Sequence, residues 1–332
     1  MSARTLLAVP NISEGRDRKL IDDVARAFDA RLLDVHTDPD HHRSVITLAG
    51  KPGLLARAVL SGATEAVNRI DIAQHQGEHP RVGAIDVAPI VYLNDTDRGA
   101  ACAEALVLAD LLAEELALPV FLYGDLAGGR TRAELRRGGA DALAIRIAEG
   151  ELHPDFGPPR LHPTAGAVLV SARPPLVAFN VELAAPATLQ DAREIAAAIR
   201  EGGPEGLESV RAIGVWLADR GVAQVSTNVE DHRKTSLATI LEAIARRAQV
   251  AGAELVGLAP RAALSTYPDD VPLCNRATIE DALSAGDKSS DRQGRSKLQA
   301  HGPDQAQAPD QASRNPRRND RDPRPHRPSA DG

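Results

Sequence analysis

Short apolar runs and amphipathic stretches alternate along this chain, and they do so twice in the same order. This repeated grammar restricts the fold more than any other feature. In the first half, TLLAVPN reads as a buried strand. SEGRDRKLIDDVARAF follows as a helix with Leu20, Ile21, Val24, Ala27 and Phe28 on one face. RLLDVHTD and RSVITLAG read as strands around a polar turn, GLLARAVLSGATEAVNRI as a helix and AIDVAPIVYL as a strand. RGAACAEALVLADLLAEELAL adds a long helix, PVFLYG a short strand, and TRAELRRGG opens a helical stretch reaching Glu149. After HPDFGPPRLHPTAG the order resumes with PLVAFNVEL as a strand and LQDAREIAAAIRE as a helix. VRAIGVWLA and VAQVSTNV are strands around a DRG turn, TSLATILEAIARRAQVAG is a helix, and AELVGLAP a last strand. Each half thus contains β-α-β-β-α-β, the split βαβ order. The expected fold class is α/β (α+β), with two subdomains facing each other across a ligand groove.

Composition narrows what such a fold can do. Apolar residues make up 43% of the 332 but aromatics only 2%, so the core must be built from Ala, Val, Leu and Ile. No apolar run approaches the roughly 20 residues of a membrane span. The stretch MSARTLLAVPN is too short for a secretory leader. Cys102 and Cys274 form no disulfide framework. A soluble, cytoplasmic protein is expected. The net charge is −7, and the folded part carries no basic block to grip phosphate backbones, so neither nucleic acid nor membrane is an expected partner. From Asp287 to Gly332 the only large apolar residue is Leu298, which predicts a disordered tail over 287–332.

Polar residues cluster in three places. In HQGEHPRVGAIDVAPI, His75 and His79 lie four apart, but Gly77 and Pro80 disfavour the helix that would bring them onto one metal. No metal is expected. A histidine titrates near neutrality and can take a proton and return it, and Glu78 and Arg81 flank His79. Spacing alone leaves His79 either catalytic or structural. In HTDPDHHRS, the turn holds His36, Asp38, Asp40, His41, His42 and Arg43. It is either a solvated turn or a place where Arg43 meets a carboxylate bidentately. In PNISEGR, helix capping accounts for Ser13 but not for Asn11.

Taken together, VPNISEGR, LLDVHTDPDHHRSVITLAG and HQGEHPRVGAIDVAPI closely resemble the formiminotransferase (glutamate formimidoyltransferase) domain, whose motifs run VPNFSEG, LLDVDPDPDHNRSV and HxGEHPRMGAxDVxPF. PVFLYG, PDFGPPRLHPTAG, VAFNVEL, VAQVSTNV and ELVGLAP extend the resemblance from about Leu6 to Ala263. It implies two ferredoxin-like subdomains, 1–173 and 174–286, with folate in the groove between them, and sets 287–332 apart as the tail. In animals the domain is fused to a cyclodeaminase. The implied reaction passes a formimidoyl group from N-formimidoyl-L-glutamate to N5 of tetrahydrofolate, a substrate here and the sole cofactor. His79 is the implied catalytic residue. The folate-binding segment corresponds to Gly157, Pro158, Pro159, Arg160, Leu161, His162, Pro163, Thr164, Ala165 and Gly166. Asn11, His36, His42, Arg43, Glu78 and Arg81 are candidates for binding or orienting substrate. A homodimer is implied as well.

The chain departs from the pattern at His36, where the family usually has Asp, and at His42, where it usually has Asn. Arg160 and His162 make the folate segment more basic. These changes keep open a 5-formyltetrahydrofolate-metabolising enzyme on the same site, a folate-binding protein without turnover, and, on five histidines between His36 and His79, a metal-dependent hydrolase.

Overall fold

The structure is a computed structural model that describes residues 4–75 and 81–285; the expected tail lies outside the described residues. Both sheets belong to one compact unit, Met1–Lys288. In the first half the chain runs β1 (Leu6–Ala8), β2 (Asn11–Ile12), α1 (Arg18–Ala27), β3 (Arg31–Asp38), β4 (Arg43–Gly50), α2 (Leu55–Arg69), β5 (Ile85–Tyr92) and α3 (Arg98–Leu116). It continues through β6 (Val120–Leu122), α4 (Arg132–Arg136), α5 (Gly139–Ala148) and β7 (Val168–Arg173).

Strands β1 and β2 are one strand in two pieces. Each pairs antiparallel with β4 on one side and β5 on the other, in unbroken register with β4: Leu7 lies opposite Ala49, and Asn11 opposite Val45. Pro10 interrupts the ladder because it has no N–H to give. Its carbonyl still accepts from Ile46 N at 3.0 Å. With β3 outside β4, the sheet reads β3-β4-β1/β2-β5, and β7 and β6 extend it in parallel.

The second half runs β8 (Val177–Leu183), α6 (Leu189–Ile199), β9 (Val210–Leu217), β10 (Val222–Val229), α7 (Leu237–Ala245), β11 (Val250–Leu255) and β12 (Leu273–Cys274). Its sheet order is β12-β11-β8-β10-β9, antiparallel throughout except for β12. Both sheets therefore hold the same four strands: the third sits between the two joined by the first helix, and the fourth flanks the first. Alternation of side chains decides the layers. Leu6, Ala8, Ile46, Leu48 and Ile90 pack with α1, α2 and α3, while Leu7, Ala49 and Val91 face the other way and meet Ile279. In the second sheet, Val177, Phe179, Val181 and Val225 pack with α6 and α7. The helices lie outside, and the two sheets turn their other faces towards a shared cleft.

Several expectations need correction. VLVSAR was not expected as a strand, yet β7 lies inside the first sheet, between β5 and β6. Val168–Ala172 are buried on both faces, so the run is continuously apolar and lacks the alternation that flags a strand. The stretch from Arg132 to Glu149 is two helices, broken where Gly138 and Gly139 take φ of 78° and 74°. Residues Val250–Gly252, read as the end of a helix, open β11 instead, since α7 stops at Ala245. Helix α1 begins at Arg18, and its cap is Asp17, which accepts from Leu20 N, so Ser13 is not the cap. Helix α2 has no side-chain cap of its own. The buried Glu104 of α3 supplies one, accepting from Gly53 N and Ala56 N, both at 2.6 Å. Among the described residues, no helix is long and apolar enough to cross a membrane.

Candidate functional site

The three polar motifs meet at one end of the first sheet. The loop after β2 is fastened on both sides: Ser13 Oγ donates to Gly83 O at 2.7 Å, and Ser44 Oγ to Glu14 O at 2.6 Å. Gly15 has to be glycine, because a Cβ there would lie 2.2 Å from Asp38 O and 2.5 Å from Arg43 N. Its N–H donates to His42 Nδ1 at 3.1 Å. His42 itself sits in the left-handed region, with φ of 48°, at the end of the β3–β4 turn.

The His42 ring lies against that of His75, with centroids 4.1 Å apart and planes tilted by 36°. The Nε2–H of His75 is 2.8 Å from His42 O, which accepts it. Arg81 Nη2 donates to His75 O at 2.6 Å. The residues bounding the segment 76–80 are thus bonded to each other. Glu78 and His79, both predicted site residues, belong to that segment and lie outside the described residues.

Asp86, at the start of β5, anchors the return of the chain. Only 1% exposed, it accepts from Val82 N at 2.8 Å and is ion-paired to Arg136 of α4. Its charge partly offsets the burial of Arg43 and of Arg81. Burial, with Arg136 nearby, pushes Arg43 down to about 10. Burial also lowers the Arg81 guanidinium and the His42 imidazole, and pushes His75 down to about 4.

Arg43 and Asn11 open onto the cleft between the sheets. Its walls are apolar, from Leu7, Val45, Val87, Leu176 and Val256 among others, and its polar groups include Arg43, Arg132, Arg173 and Asn228. Arg173 is buried deeply enough for desolvation to lower its pKa, and among the described residues its Nε has no hydrogen-bond partner. Arg132 stands over the Tyr123 ring at 5.7 Å, with Glu230 3.9 Å away. An apolar slot with three arginines is suited to a flat ligand carrying carboxylates.

Other predicted residues fall around this core. The segment Gly157–Gly166 does not line the cleft; it packs beside the arch that leads to 76–80. Thr164 O accepts from Ile72 N at 2.9 Å, Gly166 bridges to Gly83, and His162 and Gly166 exchange both backbone bonds. Gly166, at φ of 70°, leaves no room for a Cβ, which would lie 2.2 Å from Val82 O. His162 Nδ1 accepts from Ala165 N at 3.0 Å, and Arg160 is exposed. Asn11 Nδ2 donates to Val9 O at 3.0 Å. His36 points away from His42, towards the second half, where its Nδ1 accepts from Asn275 Nδ2 at 3.1 Å and Glu254 lies 3.7 Å from its Nε2. Asp86, Arg132, Arg173 and Asn228 were missed. Arg132 and Arg173 sat in a stretch read as one helix and in the unread strand; Asp86 was a charge inside an apolar strand, and that signal was available. Among the described residues, no group of three or more His, Cys, Asp or Glu is placed to hold a metal ion.

The sequence matches the formiminotransferase domain, N-terminal subdomain, over residues 5–173, and the formiminotransferase domain over 178–269. It is 40% identical over 275 residues to the formimidoyltransferase-cyclodeaminase of Sus scrofa, covering 77% of this chain and 50% of that protein. The chain therefore spans about half the length of such relatives. Glutamate formimidoyltransferase of Streptococcus pyogenes serotype M1 is 38% identical over 274 residues, 79% of this chain and 91% of that one. The Thermoplasma acidophilum protein of the same name is 36% identical over 270 residues, 77% and 88% of the two chains. With both subdomains matched and the bacterial and archaeal relatives covered almost end to end, this chain belongs to the formiminotransferase family.

Proposed function

We propose that the chain transfers the formimidoyl group of N-formimidoyl-L-glutamate to N5 of tetrahydrofolate, releasing L-glutamate. The observation that carries this reading is a cleft lined by Arg43, Arg132 and Arg173, with His42, the neighbour of Arg43 in sequence, stacked on His75, which is bonded in turn to Arg81. The names of the bacterial and archaeal relatives support it.

The chemistry is balanced without any further reactant. N5 of the folate attacks the formimidoyl carbon, and its proton passes to His79. The C–N bond to glutamate then breaks as His79 returns the proton to the departing nitrogen. Both substrates carry carboxylates, for which the three cleft arginines are the counter-charges, and holding them together supplies orientation. In this reading Gly157–Gly166 binds the part of folate that extends past the cleft, Glu78 and Arg81 orient His79, and no metal takes part. The subdomains divide between 173 and 174, and the protein works as a cytoplasmic homodimer whose ligands are small molecules.

The test is an assay of the purified chain with tetrahydrofolate and N-formimidoyl-L-glutamate, run beside 5-formyltetrahydrofolate with glutamate. Turnover with the formimidoyl donor, falling about 10²- to 10⁴-fold in His79→Ala, is expected. Turnover only with the formyl compound would replace the proposed donor. Tight folate binding without turnover would make the chain a binding protein.

A further inference from the structure

Tyr123, the residue after β6, is only 5% exposed, yet among the described residues its hydroxyl has no hydrogen-bond partner. A buried phenol usually finds one. Its backbone is pinned on both sides: Tyr123 N donates to Val170 O at 3.1 Å, and Tyr123 O accepts from Ser171 Oγ at 2.8 Å. Tyr123 lines a side chamber of about 270 Å³ that adjoins the cleft, and Arg132, Arg173 and Leu176 border both. One water takes up roughly 30 Å³ in the liquid, so the chamber has room for a small organic group. We propose that Tyr123, Arg132 and Arg173 form a carboxylate-binding niche in this chamber, with the Tyr123 hydroxyl as a specificity-determining donor to the glutamyl carboxylate of a substrate. The niche rests on the proposed reaction, whose two substrates both carry glutamyl groups.

Hydrogen-bond chemistry selects what the niche accepts. A guanidinium has donors and no acceptor. Beside Arg173, whose charge it favours, the phenol oxygen can only accept, so its hydrogen is left for a ligand. Arg132 meets the face of the ring, 5.7 Å from its centre, and makes no bond to the hydroxyl. Arg173 donates from Nη1 to Pro174 O at 3.0 Å. Its other edge, Nε with Nη2, is the one that meets a carboxylate side-on, and Nε is unpartnered among the described residues. Three groups that present donors call for an acceptor-only ligand, which is an oxyanion. The other charges of the chamber are already engaged: Arg130 with Asp155, Arg211 with Glu201 and Glu230, Asp125 with Arg98. Glu230 also faces Arg132, but 3.9 Å is beyond hydrogen-bond reach. Arg130, Arg132, Arg173 and Arg211 against Asp125 and Glu230 leave the lining positive.

Tyr123→Phe keeps the ring under Arg132 and removes only the hydroxyl. Titration calorimetry of the full chain with L-glutamate and with 5-formyltetrahydrofolate reads its effect. The substitution is expected to weaken one or both about 10-fold or more, because a bond to a charged group is a strong one. A loss for L-glutamate alone puts the donor's glutamyl group in the niche; a loss for the folate alone puts the folate's there. The melting temperature should stay the same or rise, since the hydroxyl has no protein partner to lose. A lower melting temperature with unchanged affinities would make Tyr123 a structural residue and overturn the niche. So would a wild-type chain that binds neither ligand. Inorganic phosphate is the third probe: phosphate bound as tightly as L-glutamate, and lost in the same variant, would replace the carboxylate assignment.

Steady-state kinetics separates the niche from the reaction. In an active enzyme Tyr123→Phe should raise KM for the substrate held there, with kcat changed less than about 2-fold. Turnover of the formimidoyl donor with both constants unaltered would sink the niche and leave the reaction. Binding that depends on Tyr123, in a chain that turns over neither donor, would leave the niche standing and overturn the assigned reaction.

Discussion

The two halves of this molecule share one strand order and differ in what they bury. Among the described residues, the fully covered polar groups of the first half include the ionisable side chains His41, Asp86, Asp97 and Glu104. Those of the second half are Asn180, Gln224, Thr227, Thr235 and Thr278, all neutral. A sheet with helices on one face can be completed by apolar residues with neutral amides and hydroxyls, as the second half shows. Buried charge is costly and needs a partner placed for it. Its concentration in the first half shows where the scaffold has been shaped by something other than stability, and the three polar motifs end there. The second half contributes the opposite wall of the cleft.

That contrast can be broken most severely at Asp86. Asp86→Ala leaves Arg136 buried without its ion pair and Val82 N without an acceptor, and should cost about 3–5 kcal/mol in denaturant unfolding. Thr227→Val in the second half, which removes a bond from Oγ to Phe179 O, should cost about 1 kcal/mol. Comparable losses would mean that the ionic interior has no special weight. At the cleft, Arg173→Met should raise KM for the carboxylate substrate about 10-fold or more with kcat little changed, because a charge-assisted bond is worth roughly 1.5–3 kcal/mol. An unchanged KM in steady-state kinetics would remove Arg173 from the binding set.

The helix ends sharpen the same comparison on a smaller scale. Helix α2 borrows its cap from Glu104, whereas α7, its counterpart, uses its own Ser236, which accepts from Thr239 N. Glu104→Ala should lower stability by about 1.5–3 kcal/mol, and Ser236→Ala by about 1 kcal/mol. Equal effects would argue that the two caps are equivalent. The shallowest effect concerns pH. His75 is held below its ordinary value in the folded chain, so its contribution is complete above about pH 6.5 and declines as pH falls towards 4, where the folded form takes up the proton. Thermal melts should show this decline in the wild type and a flatter profile in His75→Gln.

Much of this was legible in the sequence, and the failures have physical reasons. Amphipathic helices and half-buried strands announce themselves by period, and α1, α2, α3, α6, β3, β4 and β10 fall where the pattern puts them. Strand β7 did not, because parallel pairing on both sides buries it completely and erases the alternation. Of the residues gathered at that end of the first sheet, Arg43, His42 and Arg81 had been named from their place in the polar motifs. Arg132 and Arg173 were not, since nothing local says that the start of α4 and the end of β7 reach the same cleft. His36 was grouped with His42 by nearness in sequence, but the two lie six residues apart along a hairpin and its turn, and their side chains are sent to different neighbours.

The split first strand has a consequence for synthesis. β1 and β2 are made before either of the strands that flank them, yet they occupy the middle of the sheet, and their two partners are complete only at Gly50 and Tyr92. Helix α2 waits longer still, for a carboxylate that arrives with Glu104. A nascent chain therefore emerges from the ribosome with its central strand unpaired on both edges until β4 follows, and on one edge until β5 is out. Such an interval is when edge-to-edge aggregation is most easily begun. Pro10, which removes a donor from that strand, is well placed to blunt it.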